Sequence, residues 1–588
     1  MARTKTAGLF YGAGEMTRRP PVMGLKGVVS SGHYLASQAG MRMLHAGGNA
    51  IDAGVAAGMC LNVLLPYLTN LGGVAPIIIY SARERRVTTI SGLGRWPRSA
   101  SIEAMKERGH GDMPNGILRA VTPAALDAWV MALERYGRLS FAEVAGPALE
   151  LAQRGFAVDA SLAGALAYLQ DSLSSWPTTV DVFYRGGKAP APGSVLVQRD
   201  LAATLQALMA AEKAGGAATR EGRLRAVRDA FYKGDIARRM AEFSQKLRGF
   251  LTYDDLAEFE VREEPPVSAD YKGYQVYACG PWCQGPTVPQ TLKLLEGVDL
   301  AGMGHNSASY IHHVVEAIKL TYADRDRYYG DPDFEPVPMD ALLSEVYARQ
   351  RRQLIDPKRA WPEMPPAGDP TSGKAISGVA AGVASLTPHA SEPQGDTSYV
   401  CVIDDEGNGF SATPSDFIGQ CPIVPGLGLI ISGRGTQSWL DPDHVASLKP
   451  WKRPRLTPNP GLVLRDGELF MAFGTPGGDQ QPQGMVQAFL NVVEFGMSPQ
   501  QAVEAPRFGT WSFPNSFWPH EYLPGRLNVE ARVPSQTRKR LADLGHDVEP
   551  WRDLEPRCGH VCAILRDGET GVLHGGADPR FVSYAIAW

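Results

Sequence analysis

The junction Gln394-Gly395-Asp396-Thr397-Ser398-Tyr399 places a hydroxyl between two different textures of chain. Before it, residues 356–396 are rich in Pro, Gly, Ser and Ala with few aromatics, the composition of a mobile linker. After it, the apolar run Tyr399–Ile403 reads as a strand, a turn falls at Asp404–Asn408, and Phe410–Thr413 reads as the returning strand. A threonine so placed can attack the carbonyl of the residue before it. Hydrolysis of the resulting ester parts the chain, and the freed amine becomes the base for the same hydroxyl. Thr397 is therefore the candidate nucleophile, with cleavage between Asp396 and Thr397. A threonine opening a strand is common in β proteins, so this reading needs further partners.

Other constellations are weaker. Cys279/Cys283 and Cys558/Cys562 are C-x3-C pairs without the C-x2-C spacing of zinc sites, and no HExxH accompanies them. Seven cysteines, an odd number, do not make a secreted disulfide framework, so buried free thiols in a reducing compartment are expected. His305, His312 and His313 lie near or on one helix and read as core or surface residues. There is no Walker A loop, no complete GxGxxG and no GxSxG elbow. No cofactor and no metal is expected. With 58 Lys+Arg against 62 Asp+Glu, the net charge of −4 offers no footprint for nucleic acid or an anionic membrane. The 64 Gly and 45 Pro of 588 residues follow no period, so they must serve turns and close backbone approaches.

The elements that would position Thr397 are partly legible. Gly27–Ser31 reads as a strand, followed by a helix over 36–45 that stops at Gly47-Gly48. Ile51–Leu65 reads as a buried helix, and Pro76–Tyr80 and Arg86–Ile90 as strands. No charge falls between Asp52 and Arg83, yet Asn62, Pro66, Asn70, Gly72 and Gly73 interrupt it short of the roughly 20 residues a bilayer needs. Helical periodicity follows at 124–136 and 141–154, then helices with loops over 155–262, including a polar surface excursion at Ala211–Arg225. Tyr271–Ala278 reads as one strand opening onto the loop Gly280–Pro286, with helices at 287–296 and Tyr310–Arg325. Leu462–Leu464 with Leu469–Phe473, and Val561–Leu565 with Val572–His574, read as hairpins. Met1–Leu25 lacks the apolar core of a signal peptide, and Pro20-Pro21 follows Arg18-Arg19 directly, so a cytoplasmic location is expected.

Taken together, these segments resemble the γ-glutamyltransferase family over nearly the whole chain. Ala36-Ser37-Gln38-Ala39-Gly40 and Gly47-Gly48-Asn49-Ala50-Ile51-Asp52-Ala53 are similar to its opening helices. Ala323-Asp324-Arg325-Asp326, Gly330-Asp331-Pro332 and Ala577-Asp578-Pro579-Arg580 are similar to further segments. Thr397-Ser398-Tyr399, Gly407-Asn408, Ser411, Thr413 and Ser415 follow the spacing of its nucleophile signature, and Gly474–Gly478 resembles its Pro-Gly-Gly loop. The resemblance implies an N-terminal nucleophile hydrolase with an α+β fold. Its four-layer αββα sandwich would be formed jointly by a large subunit, 1–396, and a small one, 397–588, of a self-cleaved precursor. It further implies acyl transfer through Thr397, with Ser415 hydrogen-bonding the nucleophile and the N–H groups of Gly477 and Gly478 holding the oxyanion. The implied partners are a small-molecule amide and a water or amine acceptor, with no nucleic acid and no membrane. The cleaved subunits would form a heterodimer, and pairing of two heterodimers is left open.

The resemblance breaks where the family binds glutamate. Its Arg lies in a segment Asp-Phe-Arg-Glu-x-Ala-Pro, which here is Ser91-Gly92-Leu93-Gly94-Arg95-Trp96-Pro97, so Leu93 replaces it. Gln437 stands for the acidic residue that grips the α-ammonium, Leu456-Thr457 for paired serines, and Phe417 for an Asn. Arg95, Arg434, Gln437 and Thr457 are the candidate substrate-binding residues, while Arg453 and Arg455 are either carboxylate ligands or already paired. A zwitterion left unpaired in a closed pocket costs several kcal/mol. The expected acyl group is therefore not ordinary γ-glutamyl, and oxamate amidohydrolase and cephalosporin acylases are known variations on this fold. Two alternatives stand beside this reading. One is a true glutathione hydrolase or transpeptidase with relocated arginines. The other is an unprocessed, inactive scaffold, because Tyr399 and Cys401 replace the family's usual His and Ser or Thr.

Overall fold

The computed structural model describes residues 17–216, 218–372, 374–376 and 396–588. Two seven-stranded antiparallel sheets organise the molecule. The first has the order Tyr584–Ala587, Gly27–Ser31, Val400–Asp404, Gly409–Ala412, Ile77–Ser81, Arg86–Ile90, Glu263–Glu264. The second has the order Val22–Gly24, Leu573–Ala577, Cys562–Arg566, Glu468–Gly474, Gly461–Arg465, Tyr274–Ala278, Val267–Tyr271. Each sheet draws strands from both sides of the Asp396–Thr397 bond.

Alternation along Val400–Asp404 explains the packing. Val400 and Val402 join an apolar cluster with residues of the helices Ala50–Leu64 and Ala125–Tyr136. Cys401 and Ile403 point the other way, into a cluster shared with Leu462, Leu464, Ala472 and Ile564 of the second sheet. On that sheet's far face, Val463, Met471 and Phe473 pack with the helices Thr287–Leu295, Ala308–Tyr328 and Gln481–Val493. The fold is α+β, with the expected elements present to within a few residues.

The helix Ala50–Leu64 braces the strand that follows Thr397. Asn49 and Asp52 form a capping box at its start. The N–H of Ala50 then donates to Asp404 Oδ2 at 2.8 Å. Gly54 lets this helix lie on the return strand: a Cβ there would stand 2.1 Å from Phe410 Cδ1.

Three expectations change. Tyr271–Ala278 is a hairpin of Val267–Tyr271 and Tyr274–Ala278, turned at Lys272 and Gly273 with φ of 52° and 86°, the left-handed pair of a tight β-turn. The polar stretch Ala211–Arg225 is largely helix, ending Arg199–Ala214 and beginning Arg220–Tyr232, because Leu208, Leu224 and Val227 keep a buried stripe within polar composition. Of the stretch read as a linker, residues 377–395 lie outside the described residues. Residues 356–372 are packed: Met364 and Ala367 are buried, Gly368 N–H donates to Asp324 Oδ1 at 2.9 Å, and Asp356 O pairs with His312 Nε2 at 2.8 Å. Proline and glycine there exclude regular elements without excluding side-chain acceptors for the backbone. All seven cysteines are free and buried. Among the described residues no helix is long and apolar enough to cross a membrane.

Gly54→Leu should lower the thermal unfolding midpoint by several degrees, since overpacking a filled site costs about 1–3 kcal/mol. Gly164→Leu is the control, because a Cβ at that helical glycine meets nothing within 4 Å. Equal midpoints for the two variants would show that the helix does not need this close approach.

Candidate active site

Thr397 is fully buried just ahead of the strand Val400–Asp404, with its bond to Asp396 intact. Backbone pairs hold the approach: Ser398 N–H donates to Pro414 O and Gly32 N–H to Tyr399 O, both at 2.9 Å. The return strand carries Ser415 back to the same place, where its N–H donates to Val74 O at 2.9 Å. The two hydroxyls meet at 2.8 Å, Thr397 Oγ1 to Ser415 Oγ. Ser415 O–H also reaches Asp396 O at 2.8 Å, and Thr397 Oγ1 contacts the same oxygen. Both hydroxyls therefore flank the carbonyl of the bond expected to break.

A charge cluster backs them. Arg434 opens the short turn Arg434–Gln437, and its Nη2 donates to Asp396 Oδ2 at 2.8 Å and to Ser415 Oγ. Its Nε lies 3.5 Å from Asp416 Oδ1, and the Phe517 ring lies 5.6 Å from the guanidinium carbon. Asp416 has a φ of 90° and is fixed by Ser432 Oγ at 2.5 Å and Gly433 N–H at 3.1 Å. One guanidinium thus faces two buried carboxylates. Burial pushes both carboxyls up; Asp396 reaches about 7, because desolvation outweighs the pull of Arg434 and Asp416 adds repulsion. Among the described residues, Arg434 Nη1 and Asp396 Oδ1 have no hydrogen-bond partner.

The glycine loop is tied to Thr397 by a glutamine. Gly477 and Gly478 have φ of 125° and 56°, values that favour glycine, and the helix Gln481–Val493 follows at once. Gln481 Nε2 donates to Thr397 Oγ1 at 3.4 Å, while its Oε1 accepts from Asn459 N–H at 3.2 Å. From the loop Gly280–Pro286, Gln284 Nε2 donates to Thr457 O at 2.9 Å and Gly478 O at 2.8 Å. Gln284 Oε1 accepts from Arg325, which ion-pairs with Asp479, the residue after the glycines. Gln437 Nε2 donates to Thr457 Oγ1 at 2.8 Å; its own Oε1 has no partner among the described residues. Sequence reasoning passed over Gln284 and Gln481 because neutral amides carry no titratable signal. The position of Gln481, three residues past the glycine pair and opening a helix, was the available cue.

Arg95 is not brought to this cluster. Its guanidinium is paired with Asp333 at 2.6 Å and Asp331 at 3.5 Å, and donates to Trp451 O at 2.9 Å. Arg453 is likewise taken by Asp331 and Glu264, and Arg455 by Asp326 and the carbonyl of Arg325. Leu93 and Leu456 fall into one buried apolar cluster with Val74, Cys279, Trp282 and Cys283. Of the arginines considered from the sequence, Arg434 is the one that touches the Thr397 group.

A family model described as gamma-glutamyltranspeptidase matches residues 36–588. The chain is similar to the glutathione hydrolase-like YwrD proenzyme of Bacillus subtilis (strain 168), 37% identical over 563 residues, covering 95% of this chain and 98% of that protein. It is 31% identical over 580 residues to the glutathione hydrolase proenzyme of Escherichia coli (strain K12), with 96% and 92% covered. The crystal structure of cephalosporin acylase from Bacillus halodurans matches with a TM-score of 0.83 and 30% identity, covering 98% of each chain.

The charge cluster makes a pH prediction. In a Thr397→Ala precursor, the Asp396 carboxyl should titrate near 7 by carbon NMR, against 3.8 for the free side chain. Because the folded state then holds a proton that the unfolded state has lost, this group should make the precursor less stable as pH rises from about 4 to 7. A titration below 4 would show that the attraction of Arg434 outweighs burial.

Proposed function

The chain belongs to the γ-glutamyltranspeptidase family, and from that premise we propose that this hydrolase is made as a precursor, cuts itself before Thr397, and then acts as an N-terminal threonine amidohydrolase or acyltransferase. Its substrate on this reading is a small amide other than ordinary γ-glutamyl. The observation that carries the reading is the meeting of Thr397 Oγ1, Ser415 Oγ and Asp396 O.

Self-cleavage begins as Thr397 Oγ attacks the Asp396 carbonyl carbon. Ser415 O–H, polarised by Arg434, steadies the developing oxyanion on Asp396 O. The Asp396–Thr397 C–N bond breaks, the nitrogen takes up the proton lost by the hydroxyl, and an ester remains. Water then cleaves the ester, giving the Asp396 carboxylate and restoring the hydroxyl beside a free α-amine. In the mature enzyme that amine takes the Thr397 proton while Oγ attacks the substrate amide, then returns it to the departing amine. The N–H groups of Gly477 and Gly478 hold the oxyanion, and water or an amine releases the acyl group. The large subunit 1–396 and the small subunit 397–588 remain together as a heterodimer, since both sheets contain strands of each. In that heterodimer the two sheets and the helices outside them form the αββα sandwich.

Support for a changed acyl group comes from the replaced positions. Leu93 and Leu456 stand together with Trp282 in an apolar cluster, and Gln437 is neutral, so neither charge of a glutamate terminus finds its partner there. Arg95 gives no support to a relocated glutamate site, being committed to Asp331 and Asp333.

Intact-mass analysis should show two fragments split before Thr397, and Thr397→Ala should abolish both the split and amide turnover. Ser415→Ala should slow cleavage by about 10²-fold or more, the usual effect of losing one oxyanion donor. Cleavage that persists in Thr397→Ala rules out this nucleophile. Robust turnover of γ-glutamyl-p-nitroanilide would establish the glutathione hydrolase reading instead.

A further inference from the structure

The precursor already carries a ligand on Arg434, and that ligand is its own chain. Asp396 presents an acyl carbonyl to Thr397 and, two carbons away, a carboxylate. The carbonyl oxygen lies 2.8 Å from Ser415 Oγ, and the carboxylate Oδ2 lies 2.8 Å from Arg434 Nη2. These are the two recognisable features of a half-amide of a short dicarboxylic acid. Resting on the amidohydrolase reading above, we propose that Asp396 is the enzyme's first substrate, and that after cleavage Arg434 binds the carboxylate of an external amide of the malonamate or succinamate type.

Three further observations carry this. Cleavage turns the Asp396 carbonyl into a second carboxylate, close to a guanidinium that already shares its charge with Asp416. That crowds a further acidic group onto one buried guanidinium, which favours departure of the cut end. Arg434 then loses its Asp396 partner on Nη2, which keeps Ser415, while Nη1 has no partner among the described residues, an arrangement that favours an incoming carboxylate held by both nitrogens. Distance sets the length of the acyl chain. Arg434 Nη2 touches Ser415 Oγ, itself 2.8 Å from Thr397 Oγ1, so the bound carboxylate lies within one side chain of the nucleophile. The α-carboxylate of a γ-glutamyl group lies a longer chain away from its scissile carbonyl. The apolar group Val74, Leu93, Trp282 and Leu456 flanks Ser415 through the Val74–Ser415 backbone bridge, and offers no charge to an amino-acid terminus.

The test uses the wild-type enzyme after intact mass shows both subunits. Ammonia release from malonamate and succinamate is compared with propionamide, butyramide and L-glutamine, and calorimetry compares succinate with butyrate. The acids should exceed the neutral amides in kcat/KM by about 10²-fold or more, and succinate should bind where butyrate does not. In Arg434→Gln the preference should fall toward unity; should that variant fail to mature, the wild-type comparison decides alone. Amide turnover with no preference for the acids, or with glutamine best, overturns the proposal while leaving the amidohydrolase reading intact. Selective succinate binding with no turnover of any amide supports the subsite and counts against that reading. Absence of both succinate binding and amide turnover overturns the proposal.

Discussion

Arg434 sits fully buried between Asp396 and Asp416, and a guanidinium without water must have every charge and donor near it arranged in advance. That requirement reaches outward. Asp416 adopts a left-handed backbone so that its carboxylate can face Arg434 while accepting from Ser432 and Gly433. Ser415, one residue earlier, is thereby set between Arg434 and Thr397. The short turn Arg434–Gln437 is fixed in the same way, and it aims Gln437 at Thr457. Burial, with some repulsion from Asp416, outweighs the attraction of Arg434, which is why a proton is retained on Asp396 to near-neutral pH.

Such a cluster needs a rigid frame, and two neighbouring sheets supply it. The strand after Thr397 pairs on one side with Gly27–Ser31 and on the other with Gly409–Ala412. Neither edge is free to shift register, because a slip of one residue would turn Cys401 and Ile403 out of the inter-sheet core. Asp404 ties the end of that strand to the first turn of Ala50–Leu64, so the strand after Thr397 is held at its far end as well. On the opposite side, Gln284 and Gln481 bridge the second sheet's loops to the glycine pair and to Thr397. Two neutral amides do this work without adding charge to a site that already has an excess of it.

Much of this was legible in the chain, and what escaped has physical reasons. The apolar run and turn signals on either side of Asp404–Asn408 mark the strand after Thr397, whereas the pairing of Ser415 with Thr397 is implied by the family resemblance alone. The α+β class is implied by the family resemblance, and strands early in the chain, Gly27–Ser31 and Ile77–Ser81, share a sheet with Val400–Asp404. Arg95 is paired away from Thr397 because sequence proximity to Leu93 says nothing about which acids lie across the fold; Asp331 and Asp333 are more than two hundred residues away. The hairpin at Lys272-Gly273 was read as one strand because its apolar alternation continues through a turn only two residues long. Gln284 and Gln481 act through geometry alone, and composition gives no hint of them.

Arg434 differs in kind from the other arginines. Arg453 and Arg455 have acids of their own and complete their pairing inside the protein. Arg434 draws part of its pairing from Asp396, the residue that the proposed cleavage would make the C-terminus of the large subunit. A side chain whose partner is removed by maturation cannot be there solely to stabilise the finished fold, since its unpaired state is the costly one. Retaining a buried cation on those terms makes sense if another anion regularly takes the vacated place. On that proposal Leu93 and Leu456 can be apolar, because a half-amide whose one carboxylate rests on Arg434 has no further charge to place.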